Sequence, residues 1–407
     1  MKIEEKRVAI AGVGATKDPG SNHPFLTWKE MVANAACEAA EDAGLRLRDI
    51  DCVVVAYHGE AVSEAGGIGG SVSDFLGIAP VPTFPCSMNC AGGSVALNTG
   101  WSMVASGKYK KVLVLGFDKA LDNINYTESI NISYDTEYDY VFGFRHRDGF
   151  ELMSNHYMAH YGYGLDAYGA MAYQAQWYAR RNPRASMYGK PLPPKESFER
   201  NDSCYSMMGE GCAAVILVPA EEAAVYPHKP VYLDGVALAV SSHYVGHRVG
   251  EEPLAERYPV WLNRTVDFDQ SAPCVVAREK AYAMAGITPE DVDLAQVYDL
   301  VAGSFWQIED LGLCPKGKGG QFFLDGETAL DGRCPVNTDG GNIARGHSSG
   351  ADGLNQVVEN VTQLRGEAGG RQVKDAKVAV SSCVGGAYAH LTVVVLTNDG
   401  FRREHQA

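Results

Sequence analysis

Short apolar runs recur along this chain, each set off by glycine, proline or charged residues. Residues 8–12, 52–57, 112–116, 212–218, 294–298 and 378–381 are almost continuously apolar and predict strands buried on both faces. Between them lie longer stretches with helical spacing. Residues 28–43, 92–105, 274–285 and 350–364 predict helices, the first and third of them rich in alanine. Helix, loop and buried strand in alternation make an α/β fold class.

The pattern also repeats. Ala43-Gly44-Leu45-Arg46-Leu47-Arg48-Asp49-Ile50-Asp51 returns as Ala285-Gly286-Ile287-Thr288-Pro289-Glu290-Asp291-Val292-Asp293. Each copy follows an alanine-rich helix and precedes an apolar strand. The next unit repeats in the same order, with helix 92–105 leading to strand 112–116 and helix 350–364 to strand 378–381. Two matches in one order predict a duplicated α/β frame, with halves 1–225 and 226–407. Residues 118–211 interrupt the first half and are rich in tyrosine, with Tyr126, Tyr134, Tyr157, Tyr168 and Tyr178 among them. An insertion of that length is expected to serve function, as a lid over a bound substrate. Any single tyrosine in it is better read as a packing or interface residue.

The composition narrows the function classes. The chain has 407 residues, 46% of them hydrophobic and 21% charged, with a net charge of −15. That balance argues against nucleic acid and anionic membrane surfaces as partners. The charged start, Met1-Lys2-Ile3-Glu4-Glu5-Lys6-Arg7, lacks the apolar core of a signal peptide, and no apolar run is long enough for a membrane span. A cytoplasmic setting is therefore expected, with ten reduced cysteines rather than a disulfide framework. Their spacing builds no zinc site, and no metal is expected in this chain. Cys37, Cys52, Cys204, Cys212, Cys274, Cys314 and Cys334 are expected to be small buried hydrophobes.

Three segments carry candidate chemistry. Cys90 lies in Asn89-Cys90-Ala91-Gly92-Gly93-Ser94, at the start of a helix, where the helix end favours a thiolate. Cys86 is its rival as nucleophile but lacks the glycine-rich helix start. His347 closes Asn337-Thr338-Asp339-Gly340-Gly341-Asn342-Ile343-Ala344-Arg345-Gly346-His347, a run glycine-rich enough to bring backbone close to a ligand, and an imidazole there can serve as base. Cys383 ends a strand and runs into Val384-Gly385-Gly386, where backbone N–H groups can face an oxyanion. Each of the three also admits a purely structural reading. Together they fit acyl transfer between sulfur atoms and carbon–carbon cleavage next to a ketone.

These segments, in this order, resemble the thiolase superfamily over nearly the whole chain. The middle, with His160-Tyr161-Gly162, Arg180-Arg181-Asn182-Pro183-Arg184 and Gly209-Glu210-Gly211-Cys212, is similar to the sterol-carrier-protein type. The resemblance implies a five-layer αβαβα sandwich, homodimers and coenzyme A as a substrate. It makes Cys90 the nucleophile, His347 its base and Cys383 the acid that protonates the leaving enolate. The N–H groups of Cys90 and Gly385 would form an oxyanion hole.

Two departures from the family stand out: Ser348 follows His347 where proline is usual, with little effect expected, and one whole segment differs. Thiolases usually carry Asn-Glu-Ala-Phe or His-Asp-Cys-Phe where this chain has Tyr298-Asp299-Leu300-Val301. Tyr298 is expected to donate to the thioester oxygen instead. Tyrosine there resembles thiolase-like proteins that work with a small OB-fold and zinc-ribbon partner, some of them thiolases and some retro-aldolases. The benzoylsuccinyl-CoA thiolase of aromatic degradation is one such resemblance. Retention of Cys90, His347 and Cys383 favours thiolysis over retro-aldol cleavage, over a ketosynthase, over a cysteine hydrolase and over a non-catalytic acyl-CoA- or lipid-binding protein.

Overall fold

The structure is a computed structural model that describes residues 6–198, 202–248, 268–386 and 388–401. Among these residues nine strands form: β1 (Val8–Ala15), β2 (Cys52–Tyr57), β3 (Thr83–Ser87), β4 (Val112–Asp118), β5 (Gly211–Pro219), β6 (Val231–Val240), β7 (Leu294–Gln296), β8 (Val378–Gly385) and β9 (His390–Asn398). They hydrogen-bond in the order β3-β2-β4-β5-β1-β6-β9-β8-β7. The two halves join where β1 meets β6, a pairing that spans only Val8–Ile10 against Val231–Leu233.

The duplication is visible in the pairing. β2 and β4 run parallel with a helix between them, and so do β7 and β8. In the first half β3 adds a parallel edge strand beside β2. In the second, a single parallel bridge from Ala295 to Val336 occupies the corresponding place. β3, β6 and β9 are strands that the apolar runs did not mark.

Six longer helices build the layers: α1 (Trp28–Asp42), α2 (Gly92–Ala105), α3 (Asp148–Tyr161), α4 (Leu165–Ala179), α5 (Ala272–Ala285) and α6 (Asp352–Arg365). The period-2 alternation of the strands sorts their side chains between them. Val53, Val55, Leu113 and Leu115 face outward onto Ala35, Ala36 and Ala39 of α1. Val54, Val114 and Val215 face inward, into one cluster with Ala96 and Leu97 of α2, Leu354 and Val357 of α6, and Ala379, Val394 and Leu396 of the second half. Val378, Val380, Val393 and Val395 point the other way, onto Ala277 and Ala281 of α5. The stack is therefore an αβαβα sandwich with α2 and α6 as its middle layer.

The inserted region is an ordered part of this packing. Its helices α3 and α4 join the outer cluster of the second half, with Tyr157 and Tyr168 packed among Tyr298, Phe305 and Trp306. Tyr134, Tyr157, Tyr168 and Tyr178 are fully buried. These tyrosines are core residues, and the insertion is held to the body by aromatic packing. Cys37 departs from expectation in the other direction: it sits on the outer side of α1 and is exposed.

Close backbone approach fixes the seam between the halves. A Cβ on Gly116 of β4 would stand 2.5 Å from the Gly350 carbonyl oxygen, and one on Gly93 would stand 3.1 Å from the same atom. Side chains have no room there. Gly116→Val is expected to cost about 3 kcal/mol in stability through overpacking against backbone. Gly70→Ala, in a short exposed helix with open space around it, is expected to stabilise by about 0.5–1 kcal/mol. Urea denaturation of both variants checks this; equal stabilities would contradict the packing of the seam.

Candidate active site

Cys90 lies in the turn between β3 and α2. Asn89 takes a left-handed φ of 47°, and the N–H groups of Ala91 and Gly92 bond back to the carbonyls of Met88 and Asn89 at 3.1 Å each. This tight reversal carries Cys90 inward, just before the helix. Gly385, the last residue of β8, packs against the same turn, and a Cβ there would meet the Met88 carbonyl at 2.7 Å. The end of β8 thus reaches Cys90, and the Cys383 thiol donates to the Cys90 carbonyl oxygen at 3.4 Å.

His347 arrives from the other side on the loop that follows a π-turn at Gly341–Arg345. Arg345, itself buried, braces that loop by bonding Asp339 and Asn342 at 2.6 Å each and Asp352 at 3.1 Å. Asp299 accepts the Asn342 N–H at 2.6 Å. The Tyr298 backbone is clamped by Gln307, whose amide exchanges bonds of 3.1 and 2.6 Å with its N–H and carbonyl.

These supports place the Tyr298 hydroxyl 2.6 Å from His347 Nε2. The same hydroxyl lines one cavity with Cys90 and eases ionisation of its thiol. Asp352 Oδ2 stands 3.1 Å from the same nitrogen, His347 Nε2. The cavity over this group has a volume of about 20 Å³ and is lined by Cys90, Tyr298 and His347 below and by Ile130, Tyr134 and Phe150 of the insertion above. The inserted region therefore roofs the thiol.

The structure brings Cys90, His347, Cys383, Tyr298 and Gly385 together in one place. Cys86 is elsewhere: it is half-buried on β3, with its thiol 4.0 Å from Thr99 Oγ1. Sequence reasoning missed Asp352 and Arg345, the acidic and basic residues behind His347. Arg345 sits inside the glycine-rich run, and Asp352 opens the first turn of α6.

Burial dominates the electrostatics. It pushes the Cys90 thiol well up, against the smaller helping effect of the Tyr298 hydroxyl. The expected lowering by the helix end is thus outweighed, because Cys90 lies outside the helix and the site is desolvated. Cys383, Tyr298 and Asp352 are raised by burial too, and His347 is held well below the ordinary histidine range, first by burial and then by neighbouring His146 and Arg345. Burial lifts Asp299 to about 7 and Asp118 to about 6. The resting site is a neutral thiol, a neutral phenol and a neutral imidazole in contact.

A 32% identical relative spans 93% of this chain and 96% of its own length: the acetyl-CoA acetyltransferase of Methanothermobacter thermautotrophicus. The chain belongs to the thiolase superfamily. Residues 262–398 match the thiolase C-terminal domain-like family, and residues 84–143 match 3-oxoacyl-[acyl-carrier-protein] synthase III. Sterol carrier protein 2 of Bos taurus is 28% identical over 98% of this chain and 74% of its own. Among solved structures, the Ltp2-ChsH2(DUF35) aldolase superposes with a TM-score of 0.80 at 22% identity, covering 98% of this chain and 99% of that one. Human mitochondrial 3-ketoacyl-CoA thiolase in complex with CoA superposes at 0.69 with 16% identity, over 97% and 98% of the two chains. These likenesses give the thiolase fold. Among the described residues no helix is long and apolar enough to cross a membrane.

His347 is the imidazole of this thiolase-fold site. Its lowered pKa keeps it unprotonated, and able to take a proton, below the ordinary histidine value. The single-turnover rate of Cys90 acylation is therefore expected to hold as pH falls from about 7.5 to about 6. A loss centred near the ordinary histidine value would contradict this.

Proposed function

We propose that this protein is a thiolase that cleaves a 3-oxoacyl-CoA with coenzyme A through an acyl-cysteine at Cys90. The observation that carries the reading is the hydroxyl of Tyr298, bonded to His347 Nε2 and lining one cavity with Cys90. A half-buried thiol with a raised pKa needs a nearby base, and this arrangement supplies a path to one. As Cys90 attacks the ketone, its proton passes to the Tyr298 oxygen while the Tyr298 proton passes to His347. The bond between the α and β carbons then breaks, leaving the acyl group on sulfur and an acyl-CoA enolate. The Cys383 thiol protonates the enolate carbon; free coenzyme A then gives its thiol proton to the Cys383 thiolate and takes the acyl group, while His347 returns its proton through Tyr298 to the departing Cys90 sulfur. The N–H groups of Cys90 and Gly385 take the oxyanion role. In this reading Tyr298 acts on the proton first, and a role as donor to the thioester oxygen follows once His347 is protonated.

The acyl group is proposed to be aromatic, as in benzoylsuccinyl-CoA, and to enter beneath Tyr134 and Phe150, whose rings already face the thiol's cavity. A small OB-fold and zinc-ribbon partner is proposed on two grounds. One is the fold likeness to the Ltp2-ChsH2(DUF35) aldolase. The other is the exposed apolar group Ile124, Val141 and Phe142 in the insertion, between 61% and 98% exposed. Pairing of two copies is proposed at β3, an edge strand with Phe84 half-exposed. The setting is proposed to be the cytoplasm.

The second reading is a retro-aldolase acting on a CoA-linked side chain. Tyr298 and His347 would then remove a hydroxyl proton, and Cys90 would form no bond. Intact-protein mass spectrometry separates the two. Mixing with a panel of 3-oxoacyl-CoA esters that includes benzoylsuccinyl-CoA, without free coenzyme A and with or without the partner, is expected to give an acyl adduct that Cys90→Ala abolishes. Cleavage of a 3-hydroxyacyl-CoA that survives Cys90→Ala would establish the retro-aldolase instead.

A further inference from the structure

His156 and His160 stand one turn apart on the exposed face of α3, inside the insertion. Facing them is Asp269, from the segment that leads into α5 of the second half. One ligand atom from each of the three lies within 4.8 Å of the other two. His160 Nδ1 and Asp269 Oδ2 are 3.3 Å apart. In a tetrahedral zinc site, donors about 2.0–2.1 Å from the ion stand roughly 3.4 Å from each other. One pair already has that spacing, and a side-chain rotation of His156 closes the rest. The rings are partly fixed: His160 stacks flat on Tyr161 at 4.5 Å, and His156 lies against Phe268 at 5.9 Å.

Asp269 is the informative member. It is only 2% exposed, although both histidines are open to solvent. A carboxylate buried to that degree needs a cation close by. Lys316 Nζ is 3.9 Å from its Oδ1 and nearer to Glu309 Oε2, at 3.4 Å, while it donates to the Asp269 backbone carbonyl. The lysine therefore meets the need of the carboxylate at arm's length, and Oδ2 is left turned toward the histidines.

We propose that His156, His160 and Asp269 bind a divalent first-row transition metal, with zinc the best match. Two imidazoles and one carboxylate are the donor set that such ions take, with water completing the shell. A helical pair at i and i+4 puts both imidazoles on one side of the ion. Bound there, the metal would clip the inserted helix α3 to the second half, on the outside of the body and without touching the thiol site. The sequence hides this site because its third ligand is far along the chain from the pair.

Isothermal titration of the full chain, stripped with chelator and titrated with zinc chloride, tests the proposal. Cobalt(II) absorption serves as a second probe of the ligand set. One metal per chain is expected, with a rise in the thermal midpoint. Asp269→Asn and His156→Gln should each weaken binding roughly tenfold or more. Lys316→Met, which removes the competing cation, should tighten it. Circular dichroism of each variant checks that the fold is kept. No zinc binding, or zinc binding that Asp269→Asn leaves unchanged, would overturn the proposal, the latter by reducing the site to a surface histidine pair.

Discussion

Desolvation at the seam between the two halves is the constraint on which the rest of the site depends. Cys90, Tyr298, His347 and Asp352 are brought together where α2, α6 and the ends of β4 and β8 converge, and the last three are almost wholly buried. There each group pays for ionisation in full, so each stays neutral until a substrate arrives. In the proposed mechanism a proton moves along this arrangement, from thiol to phenol to imidazole. The glycines at 93, 116 and 350 make this geometry possible by letting backbone meet backbone across the seam.

The second half does more than repeat the first. Its β7 and β8 present Tyr298 and Cys383, and the loop before α6 presents His347. The first half contributes Cys90 at the mouth of α2. A duplicated frame thus yields an asymmetric site, since equivalent strand ends carry different groups. The buried ion-pair web of Arg345, Asp339 and Asp352 lies wholly in the second half and sets the position of the imidazole. Removing one of those charges would leave the others uncompensated, which is why the web acts as a brace.

Much of this was legible in the sequence. The apolar runs at 52–57 and 112–116 became strands because their alternate residues are buried on opposite faces, and the glycine-rich segments marked Cys90, His347 and Cys383. Three strands escaped notice for physical reasons. β3, Thr83-Phe84-Pro85-Cys86-Ser87, is a half-exposed edge with no apolar run, β6 is interrupted by Asp234-Gly235, and the apolar run of β9 is only Val393-Val394-Val395-Leu396 between two threonines. The insertion as a whole read as a lid and its single tyrosines as packing residues, and burial makes Tyr157, Tyr168 and Tyr178 core. Sequence gave no sign that Tyr298 would bond the imidazole in the cavity it shares with Cys90, because that contact depends on Gln307 and Asp299 fixing the loop. Asp352 stayed hidden because a first-turn aspartate is common on any helix.

The central claim is that Tyr298 couples Cys90 to His347. A double-mutant cycle on the single-turnover rate of Cys90 acylation tests it most directly, with Tyr298→Phe, His347→Ala and the double variant. If the phenol is the link, the double variant is no slower than the slower single variant, because either change alone breaks the path. If the two losses multiply in the double variant, Tyr298 and His347 act independently and the coupling is wrong.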